Sequence, residues 1–151
     1  LTFSTESMKK VKIGAAILLA LLLSTGTGYS QTMNKGGIVS LHEWNLTLHP
    51  GVSMEQFLDY WTNTLLPEVD KLFPEMKSLV LKGIAGDSKG KFAGLYYYDS
   101  LEIMRSYWNE DGSPTEESAP KMEAFGPLFE GIGKFGEFKW EVSDWEIIHQ
   151  Q

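Results

Sequence analysis

His42 is the residue of this sequence best placed for proton transfer near neutral pH, because it lies inside a predicted strand between Ser40 and Trp44 on one face. A neutral imidazole on such a face could act as a general base or as a ligand. The alternative is a histidine that only hydrogen-bonds a neighbour within the fold. His42 is therefore the candidate catalytic residue, whereas His49 and His149 are predicted to be solvated.

Aromatic side chains recur at strand and helix spacing, and they could form the walls of a pocket for a flat apolar ligand. The alternative is that the same rings fill an ordinary core. The single arginine, Arg105, could hold a carboxylate with two hydrogen bonds, or it could form a surface ion pair with Glu102. The candidate ligand-binding residues are Trp44, Tyr60, Trp61, Tyr96, Tyr98, Arg105 and Trp140.

Metal-binding and phosphate-binding motifs are not found in this sequence. It has no cysteine, which excludes disulfides and thiolate-bound metals. No spacing of its histidines and carboxylates resembles a zinc or calcium motif. The glycines at 131, 133 and 136 fit a dinucleotide-binding string, but they precede a predicted strand instead of linking a strand to a helix. The sequence therefore predicts no metal ion and no cofactor, and its acidic loop around Glu110 and Asp111 is interpreted as solvated.

Length and composition favour one compact domain. The chain has 151 residues, of which 42% are hydrophobic and 13% aromatic, enough for a packed core. Its net charge of −7 argues against nucleic acid as a partner, since phosphates recruit lysine and arginine.

The first thirty residues read as a targeting segment. A basic start at 8–12, an apolar run at 13–23 and a small-residue exit predict a secretory signal peptide over 8–30, with residues 1–7 as upstream sequence. The apolar run is short for a membrane anchor, which is the alternative. Removal of the leader leaves 121 residues with 10 basic and 19 acidic side chains, hence a charge of −9. The protein is expected to be exported, periplasmic or extracellular, with Gln31 first.

Hydrophobic periodicity divides the remaining chain into a flexible lead at 31–37 and a domain at 38–151. Alternating residues predict strands at 38–48, 76–85, 92–98 and 137–148. Two helical regions lie between them, which gives the order β-α-β-β-α-β. This order predicts a ferredoxin-like α+β sandwich, a four-stranded antiparallel sheet with helices on one face.

The helices carry recognisable start and stop signals. Ser53 and Gln56 form a capping box at the first helix, and Asp99 is predicted to cap the second. The segment 113–116 is predicted to start a third helical stretch. Prolines are expected to break or kink these helices at Pro67, Pro120 and Pro127.

Apolar residues on both faces of the strands predict a homodimer. The helices can cover only one sheet face, so the other face would be left in water unless a second copy packs on it. The alternative is a monomer whose loops and termini cover that face.

Several segments resemble known families. The stretches 57–61, 66–69 and 72–74 are similar to the first helix of EthD-like proteins, and 97–102 resembles their third strand entering the second helix. The stretch 46–51 resembles the first strand and turn of NIPSNAP-type domains. Relatives usually carry a histidine where this chain has Thr64, so the role of that histidine does not transfer.

The resemblance covers about 37–148 and implies a dimeric α/β barrel, a superfamily that includes cofactor-free monooxygenases and haem-binding branches. The first hypothesis is a small-molecule binding protein or enzyme that performs a cofactor-independent oxidation or an isomerisation, with His42 as the base. The second is a non-catalytic exported domain that binds a ligand or a partner. The third, implied by the haem-binding branches alone, is haem binding through a histidine.

Overall fold

The computed structural model describes residues 33–149. The predicted signal peptide and the residues upstream of it therefore lie outside the described residues. Within 33–149, no helix has the length and apolar character needed to cross a membrane.

The described elements follow the predicted order. The strands are β1 Ile38–Leu48, β2 Met76–Lys82, β3 Phe92–Tyr98 and β4 Gly136–Glu146. The helices are α1 Met54–Tyr60, a π-helical turn Trp61–Leu65, α2 Leu66–Leu72, α3 Leu101–Tyr107 and α4 Ala119–Glu130. The strands form one antiparallel sheet in the order β2-β3-β1-β4. The ferredoxin-like α+β fold predicted from the sequence is confirmed.

Alternation along the strands gives the sheet an inner face that is covered by helices and an open face that is not. On the inner face, the Trp44 ring lies 5.6 Å from Phe57 of α1 and 4.3 Å from Trp61 of the π-helical turn, between ring centroids. On the open face, Leu79 is 43% exposed and Trp145 is 65% exposed. The open face includes the apolar residues Val39, Leu41, Leu79, Leu95 and Trp145.

The first helical region begins at its predicted capping box and changes geometry before Pro67. Ser53 Oγ accepts a hydrogen bond from Gln56 N at 3.2 Å, and Gln56 Oε1 accepts one from Ser53 N at 2.8 Å. The Leu66 N–H donates to Trp61 O, five residues back, which defines the wider π turn. Because a proline ring collides with the carbonyl four residues earlier in a regular helix, this wider turn admits Pro67. The regular helix is therefore interrupted just before Pro67, where the sequence predicts a break or a kink.

Two helix starts differ from the prediction. Ser100, not Asp99, caps α3, since its Oγ accepts from Ile103 N at 3.2 Å. Asp99 lies one residue too early and instead accepts from Lys77 Nζ at 3.4 Å. The stretch 113–116 does not start a helix, because Thr115 Oγ1 donates to Ser106 O and folds the segment into turns.

The prolines of α4 interrupt it less than expected. Pro120 stands in the first turn, where backbone N–H groups have no helical partner, so the predicted break there is wrong. The helix also continues through Pro127 to Glu130, where a 3₁₀ turn begins.

The described part of the predicted flexible lead is hydrogen-bonded to the sheet. Asn34 N donates to the Tyr97 hydroxyl at 2.7 Å, and Gly36 N donates to Ile147 O at 2.8 Å. Ile147 N donates in turn to Gly37 O at 2.9 Å. These contacts cover Tyr97, which is buried although it belongs to the open face.

Candidate functional site

A cavity of about 520 Å³ lies between the inner face of the sheet and the helices. Its volume falls in the range of small-molecule sites. Its opening lies beside the loop 109–114 and strand β4, where Trp140 and Val142 are 41% and 51% exposed. Eight aromatic residues line it, namely Trp61, Phe73, Tyr96, Tyr98, Trp108, Phe125, Phe129 and Trp140.

A row of polar residues crosses the cavity floor. Ser40 of β1 stands opposite Tyr96 of β3 and opposite Asp144 of β4. His42 follows Ser40 by two residues and so points to the same face. Because directly opposed side chains have Cβ atoms about 4.5–5.5 Å apart, this row brings a hydroxyl, a phenol and a carboxylate together beside an imidazole. All four side chains line the cavity.

The imidazole of His42 is held within this row. Its Nε2 lies 3.0 Å from Ser40 Oγ, and the Tyr96 ring meets the imidazole edge-on at 4.7 Å between centroids. Burial lowers the pKa of His42 below its ordinary value, and the charge of Asp144 offsets only part of that effect. The imidazole is therefore neutral near pH 7 and can accept a proton.

The hydroxyl of Tyr98 is engaged within the protein. It accepts a hydrogen bond from Trp108 Nε1 at 2.9 Å and donates one to Met76 Sδ at 3.0 Å. Burial raises the pKa of Tyr98 to about 12, although the hydrogen bond from Trp108 acts in the opposite direction. Tyr98 thus contributes a wall to the cavity, while its polar atom is already satisfied.

Tyr96 differs from Tyr98 because its hydroxyl has no hydrogen-bond partner within residues 33–149. Its ring lies over Gly94, where a Cβ atom would stand 3.2 Å from the Tyr96 hydroxyl. Because Gly94 has no side chain, it leaves the space that the Tyr96 ring occupies next to His42. Burial raises the pKa of Tyr96 far above its usual range, so the phenol stays protonated and can both donate and accept.

The mouth of the cavity carries charged residues. Arg105 of α3 lines it together with Glu110 and Asp111, which belong to the loop predicted to be solvated. Hydrogen bonds from the Ser113 side chain and backbone lower the pKa of Asp111 and fix its carboxylate. Among the described residues, the salt bridges join Lys71 to Glu68 and Lys77 to Asp99, so the predicted Arg105–Glu102 pair does not form.

The structure brings six of the eight predicted site residues to the cavity and leaves two outside. His42, Trp61, Tyr96, Tyr98, Arg105 and Trp140 line it. Trp44 is buried in the core between sheet and α1. The Tyr60 hydroxyl donates to Leu128 O at 2.7 Å, which ties α1 to α4. Thr64, which the resemblance to EthD-like proteins matches to a histidine, is exposed on the π-helical turn and is absent from the lining.

The other two histidines lie outside the cavity lining. His49 Nε2 lies 3.1 Å from Gly133 O in an exposed contact, and His149 is exposed. The residues that the structure describes contain no group of three or more histidine or carboxylate side chains arranged to hold a metal ion.

Sequence reasoning missed several polar and aromatic groups of the site, namely Ser40, Phe73, Trp108, Phe125, Phe129 and Asp144. Asp144 shares the inner face with Trp140 by strand alternation, and this signal was available in the sequence. Trp108 ends α3 and turns to Tyr98, a contact that depends on the tertiary arrangement.

Comparisons with known proteins are limited to solved structures, because no family model and no curated protein matches the chain. A dimeric ferredoxin-like protein of unknown function from Bacteroides fragilis is 16% identical, with a TM-score of 0.44 over 74% of this chain and 97% of its own. An ethyl tert-butyl ether D (EthD) family protein from Bacillus halodurans is 21% identical, with a TM-score of 0.41 over 70% and 96%.

A third similar structure is a variant of SnoaB, a cofactor-independent oxygenase from Streptomyces nogalater. It is 9% identical, with a TM-score of 0.41 over 72% of this chain and 91% of its own.

Proposed function

We propose that this chain binds a flat, apolar small molecule in the cavity between its sheet and its helices. The observation that carries the proposal is the cavity of about 520 Å³, which has aromatic walls and a polar row on one side. Apolar walls supply most of the binding free energy in such sites, and a few polar groups fix the orientation of the ligand. The polar row of Ser40, His42, Tyr96 and Asp144 supplies that orientation here.

A second candidate function is catalysis of proton transfer by His42. The neutral imidazole would take a proton from an activated C–H or O–H group of the ligand, and the Tyr96 phenol would donate a hydrogen bond to the oxygen that gains charge. Return of the proton to another carbon would complete an isomerisation. Reaction of the carbanion with dioxygen would give a cofactor-independent oxidation. The alternative is a non-catalytic exported domain that uses the same cavity for binding.

We further propose that the functional form is an exported homodimer joined through the open face of the sheet. The supporting observation is the exposure of Leu79 and Trp145 on a face that also carries Leu41 and Leu95. Amino-terminal sequencing of protein recovered outside the cytoplasm of its own host tests the leader, and Gln31 is the expected first residue. Recovery of an intact leader would contradict this part of the proposal.

Native mass spectrometry of protein purified from its own host tests the binding function. We expect a co-purifying mass that disappears on denaturation. Val142→Trp fills the opening of the cavity and should abolish this mass, whereas Leu101→Trp, equally exposed at 51% but outside the lining, should retain it. Equal retention by both variants would show that the molecule binds elsewhere.

The captured molecule then separates the two candidate functions. If His42 is a base, His42→Gln should keep the ligand but stop its turnover, while His49→Gln should preserve both. Turnover by the His42 variant at the original rate would refute His42 as the base and leave binding as the only proposed function. An absorbance shift on haemin addition that His42→Gln abolished would favour the haem hypothesis over both.

A further inference from the structure

We propose that the cavity selects an organic cation, a protonated amine carried on a flat apolar body. This inference rests on the proposed function, since it names the class of molecule that the same cavity takes. It follows from the charges of the lining, from the acceptors on the floor and from the walls.

The charged groups of the lining are predominantly acidic. Glu110, Asp111 and Asp144 contribute three carboxylates, against which Arg105 supplies one positive charge. No lysine belongs to the described lining. The chain as a whole carries a charge of −7, so the long-range field has the same sign as the lining. Both the charged lining and the long-range field therefore repel an anionic ligand and attract a cation.

The floor presents hydrogen-bond acceptors around one point. Ser40 is the centre, with Asp144 and Tyr96 opposite it on the two flanking strands. His42 lies within 3.0 Å of Ser40 Oγ through its Nε2. An alkylammonium group has three N–H donors and no acceptor. The Asp144 carboxylate, the Tyr96 hydroxyl oxygen and an imidazole nitrogen can satisfy such a group.

Asp144 is available for this contact. The hydrogen bonds and salt bridges found within residues 33–149 leave its carboxylate without a partner. Its exposure at the edge strand β4 means that water solvates it in the empty cavity. A ligand ammonium would replace that water with a charge-assisted hydrogen bond.

The walls also favour positive charge. Trp140 lies at the mouth, 5.0 Å from Phe129 and 5.8 Å from His42 between ring centroids. The faces of indole and phenol rings attract cations, and this attraction grows when water is excluded. Three methionines, Met76, Met104 and Met122, line the same space with polarizable thioethers.

Donors suited to an anion are scarcer, because two N–H groups of the lining are engaged inside the protein. Trp108 Nε1 donates to Tyr98, and Asn109 Nδ2 donates to Ser113 Oγ and Pro114 O, each at 3.0 Å. Arg105 could still hold a carboxylate, but it shares the mouth with Glu110 and Asp111. A ligand carboxylate placed there would meet those two negative charges.

Three naphthalene derivatives of similar shape test the proposal: 1-naphthylmethylamine, 1-naphthalenemethanol and 1-naphthoic acid. Binding to the purified protein is measured by isothermal titration calorimetry near neutral pH, where the amine is protonated and the acid is ionised. We expect the amine to bind about tenfold more tightly than the alcohol, a ratio equal to about 1.4 kcal/mol, and the acid to bind most weakly.

Charge variants locate the preference within the cavity. Asp144→Asn should reduce the amine-to-alcohol ratio to about threefold or less, and Arg105→Gln should increase it. Glu137→Gln removes the same charge from the same strand outside the cavity and should leave the ratio unchanged. Circular dichroism verifies that each variant is folded.

The outcomes distinguish this inference from the proposed function on which it rests. If the alcohol binds as tightly as the amine, or if Asp144→Asn behaves like Glu137→Gln, cation selection is refuted while apolar binding stands. If the acid binds best, the cavity selects an anion and cation selection is likewise refuted. If none of the three naphthalenes binds, both proposals fail.

Discussion

Replacement of Leu79 by lysine tests the proposed association of two chains through the open sheet face. Leu79, Leu95 and Leu41 form an apolar row across β2, β3 and β1, and 43% of Leu79 remains exposed in the single chain. Full burial of a leucine side chain contributes about 1.5–3 kcal/mol, so burial of this fraction contributes about 0.6–1.3 kcal/mol. Two-fold symmetry uses the residue twice, which gives about 1.3–2.6 kcal/mol per dimer.

The expected effect of Leu79→Lys on the dimer dissociation constant is an increase of about ten- to eightyfold from the lost apolar burial alone. The desolvation of two lysine ammonium groups adds to this loss. Sedimentation equilibrium over a range of protein concentrations measures the dissociation constant. Leu101→Lys is the matched control, because Leu101 is 51% exposed in the single chain but lies on helix α3.

Two results would refute the reasoning about the open face. The first is an unmodified protein that sediments with the mass of one chain at all accessible concentrations. The second is an equal dissociation constant for Leu79→Lys and Leu101→Lys, since that would place the interface elsewhere or make it insensitive to the apolar row.

Three further predictions concern the stability of the single chain, each measured by urea unfolding. Tyr98→Phe removes the hydroxyl shared by Trp108 and Met76 and should lower the free energy of unfolding by about 1–2 kcal/mol; an unchanged midpoint would contradict the bonding described. Gly131→Ala places a methyl group where the Tyr60 hydroxyl lies and should cost about 1–3 kcal/mol, less in a Tyr60→Phe background; equal costs in both backgrounds would exclude this clash. Burial lowers the pKa of His42 below its ordinary 6.5, so the unfolded chain binds the proton first and stability should fall as pH drops below 6.5, to level off below the folded pKa. His42→Gln should flatten that part of the curve of stability against pH. If the variant and the unmodified protein gave parallel curves, the pKa of His42 would be the same in the folded and unfolded chains.

The strands and the fold could be predicted because alternation is a local signal. Strands β1 and β3 begin and end where the sequence predicts. The capping box at Ser53 is equally local, since both partners lie within four residues. Asp99 and Ser100 are both good capping residues, and only the backbone conformation decides between them.

The types of residue at the candidate site could be predicted from the sequence, but which of them line the cavity could not. Trp44, Trp61 and Tyr96 look alike in the sequence, since each is an aromatic residue at the spacing of an inner face. Trp44 is covered by Phe57 and Trp61, whereas Tyr96 stays open to the cavity. The difference depends on how far the helices separate from the sheet at each point, and no local pattern encodes that distance. For the same reason the satisfied hydroxyl of Tyr98 could not be distinguished from the unpaired one of Tyr96.

The π-helical turn keeps the buried side chains of the first helical region on one face, although they recur every four residues. Residues turn by about 100° each in an α-helix, so side chains four apart drift by about 40° and would be about 120° out of phase after three such steps. Four buried side chains nevertheless recur at this interval from α1 to α2, namely Phe57, Trp61, Leu65 and Val69. The wide turn holds more residues per turn and so removes this drift, which keeps the four side chains on the buried face.

Residues 62–64 of that turn are exposed, so their side chains are free to vary. Loss of one residue there would leave eleven regular steps of about 100° between Phe57 and Val69, within about 20° of three full turns, so Val69 would keep its buried face. A further inserted residue would instead rotate Val69 and Phe73 by about 100° away from the cavity. Selection on this segment is therefore expected to act more strongly against insertions than against the loss of one residue or against substitutions.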